Sequence, residues 1–132
     1  MLIFTLGWGT FSVVFADEPL SIQTQNDVAY VSGGIGEDER ATLAEMARGF
    51  NLRLAFATLE GKYLNQVRVQ ILDQQGNTVL ETTSQGPWFY ADLAPGTYTI
   101  QVRGPNEFDK SYQKTAEVSR QEQTRMIFHW PH

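Results

Sequence analysis

The chain has no cysteine and only two histidines in 132 residues. Without cysteine there is no disulfide, no thiol nucleophile and no thiolate metal site, and stability must come from packing alone. Positive charge is also scarce: ten Lys and Arg stand against fifteen Asp and Glu, a formal charge of −5. The charges are scattered rather than blocked. Such a chain lacks the basic footprint that a phosphate backbone requires, which argues against nucleic acid and against anionic membrane surfaces as partners. No internal repeat, no low-complexity tract and no Gly-x-Ser-x-Gly motif is found, so nucleophilic hydrolysis has no signature here. The two histidines, His129 and His132, flank Trp130-Pro131 at the C-terminus. Two ligands are too few for a zinc site and no nearby carboxylate completes one, so no metal or other cofactor is expected.

Apolar residues are concentrated first at the N-terminus. Met1 to Ala16 (MLIFTLGWGTFSVVFA) carries no charged side chain, ends on a small residue and is followed by Asp17-Glu18-Pro19. It is shorter than the ~20 apolar residues that span a bilayer, and it contains Gly7 and Gly9. It reads as a secretory signal peptide, which implies a periplasmic or secreted protein with no stable membrane span after cleavage. The expected organisation is a signal peptide over 1–16, a lead-in and helix over 17–49, and a β-sandwich over 50–132.

One helix is expected. Glu37, Asp38 and Glu39 suit the positive end of a helix dipole; Leu43, Met46, Ala47 and Phe50 form one apolar stripe; Gly49 supplies the stop. After Gly49 everything reads as strand and turn, and a short strand at Val28 to Val31 precedes the helix. Leu52, Leu54 and Phe56 alternate with polar or small residues, as do Val67, Val69 and Ile71. Asp73 to Asn77 is a hairpin turn, answered by Thr78 to Thr82. Further strands are expected over Trp88 to Leu93, Thr97 to Arg103, Tyr112 to Val118 and Thr124 to Trp130. Short strands at this spacing argue for an antiparallel sandwich.

The stretch Gly86 to Val102 (GPWFYADLAPGTYTIQV) holds three consecutive aromatics, a Pro-Gly corner and a strictly alternating strand. Its pattern Trp88-x-Tyr90-x-x-Leu93-x-Pro95-Gly96-x-Tyr98 resembles the hallmark of carboxypeptidase regulatory-like domains. The resemblance covers about Leu52 to Trp130 and implies a prealbumin-like sandwich of about seven strands. It also implies that Trp88, Tyr90, Leu93 and Tyr98 enter the core. Reconciling Leu93 with Trp88 and Tyr90 requires a kink near Ala91-Asp92 and turns Phe89 outward. The N-terminal part, Gly33 through the helix to Phe56, is similar to small secreted proteobacterial proteins that carry such a domain.

Gly34-Ile35-Gly36 lacks the third glycine of a phosphate loop and is followed by three acids, which would repel phosphate. The acids lack the spacing of a calcium loop. Prealbumin-like hydroxyisourate hydrolases end in Tyr-Arg-Gly-Ser, whereas this chain ends in His-Trp-Pro-His. Lys62 has no asparagine in the last strand with which to form an isopeptide cross-link. The expectation is therefore a non-catalytic, exported accessory module that binds a protein or peptide of the cell envelope, with strand edges as docking rails. The alternative is a small-ligand or carbohydrate binder; an unrecognised hydrolase is a third reading. The candidate binding residues are Phe89 and Tyr63.

Overall fold

The computed structural model describes residues 20–131; the expected signal peptide over 1–16, Asp17 to Pro19 and His132 lie outside the described residues. Period-two alternation of apolar side chains builds most of the elements. In order they are β1 (Gln23–Gln25), β2 (Val28–Gly33), α1 (Glu37–Met46), β3 (Leu52–Thr58), β4 (Arg68–Leu72) and β5 (Thr78–Thr83). β6 (Trp88–Asp92), β7 (Gly96–Arg103), β8 (Ser111–Val118) and β9 (Thr124–Trp130) follow, with a 3₁₀ turn at Asn106–Phe108 before β8.

The strands form two sheets, one ordered β1-β2-β6-β3-β9 and the other β5-β4-β7-β8. The expected sandwich is present at the level of two sheets and one helix. It differs from an antiparallel seven-strand array in two ways. A three-residue polar strand, β1, pairs with β2, and β3 runs parallel to β9 from Leu52↔Thr124 to Thr58↔Trp130. A parallel pair cannot be joined by a hairpin, so these strands come from distant parts of the chain.

The main core lies between the sheets. Leu52, Leu54, Phe56, Phe89, Ala91, Phe128 and Trp130 from the first sheet share one buried cluster with Val69, Ile71, Leu80, Tyr98, Ile100 and Val102 from the second. Each large side chain of this kind contributes about 1.5–3 kcal/mol on burial. Tyr98 donates its hydroxyl to the Ala94 carbonyl at 2.7 Å, which holds the Pro95-Gly96 corner against the strand that follows.

A second, smaller cluster lies outside the first sheet. Leu43 and Ala47 of α1 pack on Val31 and Tyr90, with Met46, Phe50 and Trp88 around them. The helix stripe read from the sequence is the face that packs there. The acids at its start are used: one Glu39 carboxylate oxygen accepts from the N–H groups of Gly34 at 2.8 Å and Ile35 at 2.9 Å.

This arrangement corrects the expected orientation of the three aromatics. β6 alternates without a kink, and its register with β2 is unbroken from Asp92 to Trp88. Phe89, Ala91 and Leu93 face the main core, and Phe89 has no exposed surface and stacks on Tyr30 with ring centroids 6.0 Å apart. Trp88 and Tyr90 face the helix side. Simple alternation was the better guide. Tyr90 is buried because α1 covers it, so its burial does not require the space between the sheets.

The strand edges are also occupied. The Gln25 side chain pairs with the edge of β5 as a backbone would, donating to the Glu81 carbonyl at 3.2 Å and accepting from the Glu81 N–H at 2.7 Å. Asn26 donates to the Val79 carbonyl beside it. Along the other seam, Lys114 Nζ donates to Ile127 O, Thr124 Oγ1 to Glu117 O and Trp130 Nε1 to Lys110 O, at 2.7–2.9 Å. These contacts occupy part of the β5 and β8 edges.

Candidate functional site

The outer face of the β1-β2-β6-β3-β9 sheet is only partly covered by α1. Cross-strand register places its outward residues in rows. One row runs Val31, Tyr90, Arg53, Arg125, and the next runs Gly33, Trp88, Ala55, Ile127. A third runs Tyr63, Ala57, His129, because Tyr63 bridges to Ala57 beyond the end of β6. The helix lies over the Val31–Tyr90 side. The β3–β9 side stays open: Arg125, Ile127 and His129 are exposed, and Ile127 keeps 45% of its surface in water. Small alanines form the middle of this strip, with Trp88 and Tyr63 on one flank and Ile127 and His129 on the other.

Cations and aromatics alternate along the flank beside the helix. The Arg53 guanidinium carbon lies 4.4 Å from the Trp88 ring centroid, and that of Arg40 lies 5.5 Å from the Tyr63 centroid. Arg40 also donates to the Gly34 carbonyl at 3.2 Å. Gly34 allows this packing: its φ is +99°, and a Cβ there would come within 2.7 Å of Trp88 Cδ1. Contacts of this type contribute about 0.5–1 kcal/mol at exposed sites and more when desolvated.

The arginines here differ from those elsewhere on the molecule. Arg48 pairs with Glu45, Arg68 with Glu81, Arg103 with Asp109 and Arg120 with Asp92. The remaining arginines, Arg40, Arg53 and Arg125, have no acidic partner among the described residues, and all three belong to this face. Arg53 and Arg125 are direct neighbours across the parallel pair. Burial, and then the Arg125 charge, push the Arg53 guanidinium below its ordinary pKa, while Tyr90 acts in the opposite sense. Arg53 Nε and Trp88 Nε1 are both buried without a hydrogen-bond partner. Arg125 Nε donates to Gln123 Oε1 at 2.8 Å, which fixes the stem of its side chain.

Of the two residues singled out from the sequence, Tyr63 sits at the end of this strip and is 54% exposed. Phe89 lies on the opposite face of the sheet, fully buried, and no ligand reaches it in the folded chain. The sequence reading missed Arg53, Arg125 and Ile127. The available signal was the outward phase of β3 and β9: Arg53 alternates with Leu52 and Leu54, and Arg125, Ile127 and His129 alternate with Met126 and Phe128.

The other sheet presents a different surface. A shallow groove of about 520 Å³ runs over its polar face, lined by Arg68, Gln70, Glu81, Gln101, Arg103 and Gln113 among others. Its groups already satisfy one another. Gln101 donates to Gln113 at 2.9 Å, Gln70 to Thr78 at 2.9 Å, and both arginines are ion-paired. This is the solvated face normal for an antiparallel sheet. No cluster of three or more metal-ligating side chains occurs among the described residues, and no helix there is long and apolar enough to cross a membrane.

Compared with known proteins, the sequence matches no family model and no curated protein.

Proposed function

We propose that this protein is a non-catalytic, exported accessory module that docks a protein or peptide of the cell envelope on the open half of its helix-bearing sheet. The single observation that carries the reading is the strip formed by Arg53, Arg125, Ile127, Trp88 and Tyr63. It combines residue types enriched where proteins bind one another, namely arginine, tyrosine and tryptophan, with an exposed isoleucine. Export rests on the sequence of Met1 to Ala16. The carboxypeptidase regulatory-like, prealbumin-like assignment rests on the Trp88 to Tyr98 pattern. Leu93 and Tyr98 lie in the main core as that pattern implies, whereas Trp88 and Tyr90 face α1.

The test is in-cell photo-cross-linking from position 127, with position 75 in the hairpin turn as control. Capture of one defined species from 127 and none from 75 supports the reading; equal capture from both, or none from either, defeats it. A second reading, a binder of small neutral polar ligands, is favoured by the groove over the Gln70–Gln101–Gln113 row. Paired amides and neutralised charges suit a hydroxyl-rich ligand. Thermal stabilisation by glycans, lost in Gln101→Ala, would favour it.

A further inference from the structure

Resting on that docking reading, we infer that the strip recognises an acidic peptide segment, taking a carboxylate between Arg53 and Arg125 and an adjoining apolar side chain against Ile127. The chain is acidic overall, with a formal charge of −5, yet three arginines without acid partners among the described residues converge on this face. Two like charges adjacent across a strand pair repel, and the repulsion is relieved when a shared anion lies between them. The Arg53 guanidinium carbon lies 4.4 Å from the Trp88 ring centroid, a contact that restricts the side chain. A guanidinium held in this way matches a planar carboxylate with two parallel hydrogen bonds.

Three features favour a peptide over other anions. The alanines at 55, which is buried, and 57, which is half-buried, place no large side chain in the middle of the strip. Ile127 is exposed one row from the arginine pair and gains only if the ligand brings apolar surface with its charge. The net negative charge of the whole chain opposes approach to a membrane or a nucleic acid, which present many anions at once. A short peptide segment with one or two carboxylates meets far less of that repulsion.

The experiment uses the exported protein labelled at arginine Nε. The probes are the blocked tetrapeptide acetyl-Leu-Glu-Glu-Leu-amide, its Gln-Gln counterpart and inorganic phosphate. The acidic peptide is expected to shift the Arg53 and Arg125 resonances with an affinity at least fivefold above the glutamine peptide. Arg125→Gln, an exposed position, is expected to remove that preference with the fold intact. Arg53→Lys keeps the charge but loses the plane, and is expected to weaken binding while the Arg125 resonance still responds. Equal affinity for both peptides, no shift at either arginine, or phosphate binding as tightly as the acidic peptide would overturn the inference. So would concentration-dependent self-association abolished by Arg125→Glu, since the acid would then come from a second copy. The cross-link from position 127 separates the two proposals. If its yield is unchanged in the Arg125→Gln protein, the docking face stands and the carboxylate assignment falls. If the acidic peptide binds as expected but position 127 captures nothing in cells, the peptide chemistry stands and the envelope role falls.

Discussion

Replacing Asn51 tests the internal logic of the first sheet more sharply than any apolar truncation. Asn51 is 4% exposed and immediately precedes β3. Its side chain extends the β3–β6 ladder by one step: Nδ2 donates to the Leu93 carbonyl at 2.7 Å and Oδ1 accepts from the Leu93 N–H at 2.9 Å. Asn51→Ala removes both partners and leaves two buried backbone groups unsatisfied. Each costs about 1–3 kcal/mol, so a loss of about 3 kcal/mol is expected. With a urea m-value of about 1.5 kcal/mol/M, the midpoint should fall by about 2 M without a change in slope. Asn51→Asp adds a sign. The carboxylate keeps the acceptor but turns a lone pair toward the Leu93 carbonyl, and burial disfavours its charge, so its folded pKa rises above the unfolded value of about 3.9. The variant should match the parent most closely below that unfolded value. Its deficit should grow as pH rises through the interval up to the folded pKa, and stay constant above it. Urea titrations of parent and variants at several pH values decide the matter. A midpoint shift under about 0.5 M for Asn51→Ala, or an Asp deficit that is flat with pH, would refute this account.

Three further outcomes are expected. A Cβ on Gly86 would lie 2.2 Å from the Gly33 carbonyl oxygen, so Gly86→Ala should force apart the backbone where β6 begins; a loss of about 1–3 kcal/mol should lower the melting temperature by several degrees in calorimetry. Gln25→Ala should expose the edge of β5, so that the Glu81 amide exchanges with deuterium about fivefold faster or more, in line with one lost hydrogen bond of about 1 kcal/mol, while core amides in β7 keep their rates. The side-chain hydrogen bond from Arg103 holds the Asp109 carboxyl below the ordinary aspartate value, so carbon-detected titration should place its midpoint lower and Arg103→Gln should return it. Any stabilisation from that exposed pair is present above the unfolded pKa and is lost as pH falls through the folded one.

Most strand positions were legible because one face of most strands is buried, and burial imposes a period of two. Leu52-Leu54-Phe56 and Tyr98-Ile100-Val102 needed nothing beyond that rule. The helix was legible because its stripe of Leu43, Met46 and Ala47 has a partner surface. β1 was missed because Gln23-Thr24-Gln25 buries almost nothing, so no alternation marks it. The triplet Trp88-Phe89-Tyr90 was read in the wrong phase. An aromatic under a helix and an aromatic between sheets are equally bulky, and residue type does not separate them. Phe89-Ala91-Leu93 carried the right phase and was overridden by the resemblance. The arginine pair at 53 and 125 was invisible for a different reason: it exists only through the β3–β9 register, and pairing between distant strands leaves no mark on either one locally.

That same pairing governs when the protein is able to fold. β3 takes one neighbour from β6 and the other from β9, which closes the chain. A nascent polypeptide that has not yet released Thr124 to Trp130 has nothing to lay along Leu52 to Thr58, and the layer containing Phe56 stays half open to water. Closure of this sheet therefore awaits the emergence of Thr124 to Trp130, and contacts of such wide sequence separation slow folding. Removing β9 would thus undo the centre of the molecule rather than its fringe, because Phe128 and Trp130 leave the main core with it.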